Sequence, residues 1–208
     1  MWGTPLAAWA QGGKLPVGEV EGEVQQLPVP ESDAVASSPL QPAGGQVWSA
    51  YYTYGVSQSL YNSVPDIDIV TAGLRWSHLW SEKFGGVLRG NPAFAIEVVP
   101  ITRFLNDGRL TWAGGGNLLY EHHFAARGRL MPVWKIGAGA LFADHEIPRG
   151  ETRLNFSLIT ALGVDVALTD RSAVFVGYRF HHVSNANTGP VNPGINAHTL
   201  TIGLSLYR

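Results

Sequence analysis

His182 and Ser184 are the residues from which chemistry can first be read. They stand two apart in Tyr178-Arg179-Phe180-His181-His182-Val183-Ser184-Asn185-Ala186. On an extended chain two residues span about 6.8 Å and share a face. An imidazole and a hydroxyl so placed can close to hydrogen-bond distance. A serine hydroxyl is a weak nucleophile near neutral pH and needs such a base. The pair therefore suits hydrolysis of an ester. Alone it is a weak motif, and polar residues meeting lipid headgroups account for it better. Asn185 follows the serine directly, so its backbone or side chain could donate to a developing oxyanion. His198 shares the outward parity of the pair and reads as an interfacial polar residue.

Two other clusters carry metal-ligating side chains, His122-His123 and Asp144-His145-Glu146. Adjacent residues of a strand point to opposite faces, so His122 and His123 cannot chelate one ion. No metal site and no cofactor is expected. The chain has no cysteine, which excludes disulfides and thiolate metal sites. A net charge of −2 offers no basic field for nucleic acid.

Strands must position the pair. Eight candidates recur from Gln46 onward, at 46–57, 67–80, 93–104, 110–124, 129–142, 154–168, 172–184 and 198–207. Asn106-Asp107-Gly108 is a hairpin turn signal, and the 185–197 loop holds Gly189, Pro190, Pro193 and Gly194. Alternation with period two assigns the class. The seventh strand sets Val174, Val176, Tyr178 and Phe180 against Ala173, Phe175, Gly177 and Arg179. The eighth sets Leu200, Ile202, Leu204 and Leu206 against Thr199, Thr201, Gly203 and Ser205.

The second face collects Gly, Ser, Thr and Asn with Arg75, Glu97, Arg103, Glu121, Lys135, Asp165 and Arg179. That set suits a narrow interior filled by paired charges. It is too poor in Lys and Glu for a solvent face. The apolar face carries Trp80, Trp112, Tyr120, Trp134 and Tyr178, as an interfacial girdle would. Charged residues are 14% of the chain, against about 25% in ordinary globular domains. No apolar run reaches the roughly 18 residues of a spanning helix. The expected fold is all-β: an eight-stranded antiparallel transmembrane β-barrel over 46–208 in the cell outer membrane. A soluble lipocalin-like barrel is the alternative. With both ends periplasmic, odd strands run outward. His182 and Ser184 then face lipid at the outer rim.

Residues 1–45 read as a flexible periplasmic lead-in, broken by Pro28, Pro30, Pro39 and Pro42. Ala8-Trp9-Ala10 has the form of a signal-peptidase site, although an ordinary apolar start reads equally well.

The stretch from Tyr178 to Ala186, then Asn192-Pro193-Gly194-Ile195-Asn196 and a last strand to Tyr207, resembles the lipid A 3-O-deacylase (PagL) family of acyloxyacyl hydrolase-like outer-membrane barrels. A looser likeness extends through Gly137 to Leu141 and Asn155-Phe156. The resemblance implies an eight-stranded barrel that hydrolyses the 3-O-linked acyl chain of lipid A (lipopolysaccharide) with a Ser-His-Glu triad on its outer face. It implies Ser184 as nucleophile, His182 as base and Asn192 as an oxyanion donor. The family's glutamate falls at Asn196, an amide here. An amide can hold the imidazole tautomer without its negative charge, at a cost of up to about 10⁴ in rate. Glu146 or Glu151 is the other candidate for the acid. An inert barrel that only contacts outer-membrane lipid is the alternative function.

Overall fold

The computed structural model describes residues 44–60, 63–80, 84–148, 150 and 152–208. The Ala8-Trp9-Ala10 motif, the lead-in up to residue 43 and Glu151 lie outside the described residues. Eight strands follow in chain order: β1 Gln46–Gln58, β2 Asp68–Leu79, β3 Gly90–Asn106, β4 Arg109–Phe124, β5 Leu130–Ile147, β6 Thr152–Ala167, β7 Ser172–Ser184 and β8 Ile195–Tyr207. Each pairs antiparallel with its sequence neighbour, and β8 pairs with β1 to close the barrel. Closure leaves no unpaired edge, the condition for strands to sit in lipid. β8 begins at Ile195 rather than 198, so Asn196 is a strand residue with a fixed face.

Register gives the tilt. Paired residues lead from Val174 through Leu204, Ala50, Leu74, Val98, Gly116, Ala140 and Phe156 to Ser184. One circuit therefore returns to β7 ten residues further on, from 174 to 184. Such a stagger requires strands inclined to the barrel axis.

The alternation is realised as two chemically distinct surfaces. The outside is apolar, with Leu200 72% exposed, Leu74 58% and Leu162 60%. Such a surface in water would be a continuous hydrophobic patch of a kind soluble monomers do not carry. The inside has three layers. At the end that carries the 185–194 loop, Ile67, Ile69, Phe104, Ile147, Val183 and Ile195 belong to one apolar cluster. At the other end Val47, Leu79, Met131 and Tyr207 belong to a second.

Between them lie the charges. Glu97 accepts from Arg179 at 2.9 and 3.2 Å and from Asn117 at 2.8 Å. Glu121 faces Arg75 at 3.0 Å, His123 at 3.3 Å and Lys135 at 3.6 Å. The Tyr207 hydroxyl donates to Asp165 at 2.8 Å. Every carboxylate expected inside is buried and has partners there, as a low-dielectric interior demands.

One expected interior charge is misplaced. Parity places Arg103 on the face of Glu97. β3 carries one extra residue relative to both neighbours, between Val98 and Ile101 against β2 and between Val99 and Thr102 against β4. The bulge reverses the alternation beyond it. Thr102 and Phe104 turn inward, and Arg103 pairs with outward Val70 and Trp112. Tyr178 also departs from a girdle position. It sits mid-strand and hydrogen-bonds His198 Nδ1 through its hydroxyl at 2.5 Å.

Candidate active site

β7 and β8 bring the candidate residues together through register. His182 lies directly opposite Asn196, and Ser184 lies opposite Phe156 of β6. All four belong to the outward set. His182 Nε2 is 3.0 Å from Ser184 Oγ. His182 Nδ1 is 2.7 Å from Asn196 Oδ1. Asn196 Nδ2 donates to the backbone carbonyl of Leu60 at 2.9 Å. A carbonyl only accepts, so this bond fixes which way the amide faces. The amide oxygen then accepts from His182 Nδ1–H, and Nε2 is left to accept the Ser184 proton. That is the protonation pattern a serine nucleophile requires.

The 185–194 loop is held by its asparagines. Asn185 is fully buried. Its Nδ2 donates to the Val191 carbonyl at 2.8 Å, and its Oδ1 accepts from Asn187 N–H at 2.9 Å. Its backbone N–H donates to Asn192 Oδ1 at 3.2 Å. Asn192 Nδ2 donates to Asn187 Oδ1 at 3.1 Å. Asn185 thus locks the loop, and its backbone N–H is already engaged. An amide nitrogen carries two hydrogens, so Asn192 retains a second N–H beyond the one given to Asn187. Gly194 closes the loop at φ +67°, and a Cβ there would lie 3.2 Å from His182 Cε1. Only glycine adopts that backbone freely.

Three features escaped sequence reasoning. The Leu60 carbonyl has no side-chain signature. The β1–β2 loop is tied to the site through Val64 N–H, which donates to the Gly194 carbonyl at 3.0 Å. Ser63 Oγ accepts from Leu60 N–H at 2.9 Å and donates to the Gln58 carbonyl at 2.6 Å, fixing the turn that presents Leu60. Glu146, the other candidate acid, instead accepts from Gly150 N–H at 3.2 Å. His122 and His123 take opposite faces, one bonded to the Leu88 carbonyl outside and one to Glu121 inside. The wall beneath the site is apolar, with Phe156, Leu158 and Leu200 exposed toward lipid.

The family model described as lipid A 3-O-deacylase (PagL) matches residues 50–205. Among solved structures, the outer-membrane enzyme PagL superimposes with a TM-score of 0.59 at 18% identity, over 74% of this chain and 97% of that one. Neisserial surface protein A (NspA) gives 0.52 at 15% identity, over 79% and 97%. No curated protein sequence matches the chain. The two structures share its fold, a closed outer-membrane barrel, and the outer membrane is the compartment of this chain.

Proposed function

Starting from the fact that the chain belongs to the lipid A 3-O-deacylase (PagL) family, we propose that it is an outer-membrane serine esterase that removes the 3-O-linked acyl chain of lipid A. The observation that carries the reading is the unbroken hydrogen-bond chain from Asn196 through His182 to Ser184 on the lipid-facing surface.

Ser184 Oγ attacks the ester carbonyl carbon while its proton passes to His182 Nε2. Asn196 holds the ring through Nδ1–H and accepts more strongly as the imidazolium forms. The negative carbonyl oxygen takes the free N–H of Asn192, a donor of the kind worth about 3 kcal/mol of barrier. The intermediate collapses as the ester C–O bond breaks, and His182 returns the proton to the departing sugar hydroxyl. Water, deprotonated by the same ring, then hydrolyses the acyl-enzyme and frees the fatty acid. The chain being removed lies against Phe156, Leu158 and Leu200, where it is already solvated by neighbouring lipid. Asn185 acts by shaping the loop that presents Asn192.

Mass spectrometry of lipid A from cells with and without the protein tests this. Loss of one 3-O-linked acyl chain with the wild type, and none with Ser184→Ala, is the expected result. Equal deacylation by Ser184→Ala would sink the mechanism. The amide at 196 favours one competing reading, a barrel that contacts lipid without cleaving it. That reading requires wild type and His182→Ala to leave lipid A equally intact.

A further inference from the structure

The third member of the triad is flanked by a fourth group, and that group has a sign. Leu60 presents a carbonyl to Asn196 Nδ2 at 2.9 Å. The carbonyl also accepts from Ser63 backbone N–H at 3.1 Å, and the turn behind it is fixed by the Ser63 hydroxyl, which accepts from Leu60 N–H and donates to the Gln58 carbonyl. Ser63 is buried. Gln58 itself pairs with Asn196 across β1 and β8. The turn is therefore anchored to the same strand pair that carries the amide.

We infer that the Leu60 carbonyl is a positioning group that commits this site to an amide at 196, making Ser184, His182, Asn196 and Leu60 a relay of neutral dipoles that takes the place of a carboxylate triad. The inference rests on the esterase reading of the same residues. A hydrogen bond donated by the amide N–H pushes electron density toward the amide oxygen, and bonds in such chains strengthen one another. The oxygen facing His182 becomes a better acceptor as the ring gains its proton. A carboxylate of the same shape would put an oxygen where Nδ2 now stands. Two acceptors would then face each other at about the distance of the present bond. The negative charge that should help the imidazolium would arrive with a repulsion that displaces the side chain. The relay also explains how a site lacking the family's glutamate keeps its imidazole oriented: the Leu60 carbonyl does for the amide what a second partner does for a triad carboxylate.

The test uses full-length protein refolded in detergent micelles, with folding of each variant checked by heat-shifted gel mobility. The rate at which a fluorophosphonate labels Ser184 is measured for wild type, Asn196→Asp, Asn196→Ala, Ser63→Ala and the Ser63→Ala/Asn196→Ala double variant. A simple triad predicts that Asn196→Asp accelerates labelling. The relay predicts that it slows labelling about 10-fold, the effect of one unpartnered acceptor. Ser63→Ala should slow the wild type about 5-fold and the Asn196→Ala background less than about 2-fold, because the two positions are coupled only through the relay. Labelling of Asn196→Asp as fast as wild type overturns the proposal. So does an equal effect of Ser63→Ala in both backgrounds.

Ring ¹⁵N shifts of His182 on the same samples report the tautomer without turnover. A neutral ring protonated on Nδ1 in the wild type supports the relay, and one protonated on Nε2 overturns it. Acyl release from lipid A is scored separately. A wild type that labels but releases no fatty acid refutes the lipid A reading and leaves the relay standing. An unlabelled wild type refutes the esterase reading, and the ring shifts alone then decide the relay.

Discussion

Arg179 and His182 stand three residues apart on β7, one in the charged interior and the other in a neutral chain on the lipid face. Glu97 inside has Arg179, Asn117 and Arg75 around it, the first two within 3.2 Å. His182 outside has one partner on each nitrogen. The interior is built by charge against charge, because an ion removed from water must find a counter-ion or lose its charge. The lipid-facing site is built from uncharged donors and acceptors in single file. Stability is spread over a cross-linked polar layer, whereas the proposed reactivity depends on a chain that any single break interrupts.

Ser184→Ala should carry the largest effect. Deacylation of lipid A by purified protein should fall by more than about 10³-fold, and His182→Ala combined with it should cost little more, since residues that act as a unit are not additive. Urea unfolding in vesicles should be unchanged for both. Glu97→Ala should show the reverse. Leaving Arg179 and Arg75 without their carboxylate should cost about 3–5 kcal/mol of unfolding free energy, with turnover per folded molecule intact. A loss of turnover at full stability would refute the separation.

Asn192→Ala, which removes the proposed oxyanion donor, should lower kcat about 10²-fold and leave KM nearly unchanged. Equal losses in both would mark it as a binding residue instead. Gly194→Ala should have the smallest effect, about 1 kcal/mol of unfolding free energy for the left-handed backbone. Its Cβ would also press on His182 Cε1, so a several-fold loss of kcat should accompany it.

Much of this was legible in the sequence. Period-two alternation placed Arg75, Glu97, Glu121, Lys135, Asp165 and Arg179 inside, and it set His182 and Ser184 on one outward face, because side-chain direction on a regular strand depends only on parity. Parity failed where regularity failed. Strict alternation points Arg103 inward, and the extra residue in β3 turns it out. Pro100, which cannot donate to a ladder and so belongs at bulges and edges, was the available signal. Adjacency to the serine suggests Asn185 as a donor, but its backbone N–H bonds Asn192 and its buried amide bonds Val191 and Asn187 within the loop. The Leu60 carbonyl could not be read at all. A backbone acceptor is the same at every residue, and only the fold brings position 60 to position 196.

With Ser184 as the proposed nucleophile, its outward placement has a consequence for kinetics. An enzyme with an enclosed cavity draws substrate from three dimensions, and molarity sets its occupancy. A nucleophile that opens sideways into a leaflet meets its ester by lateral diffusion, and what fills the site is the mole fraction of substrate among neighbouring lipids. Adding inert lipid or detergent at constant total substrate should therefore slow turnover as if substrate had been removed.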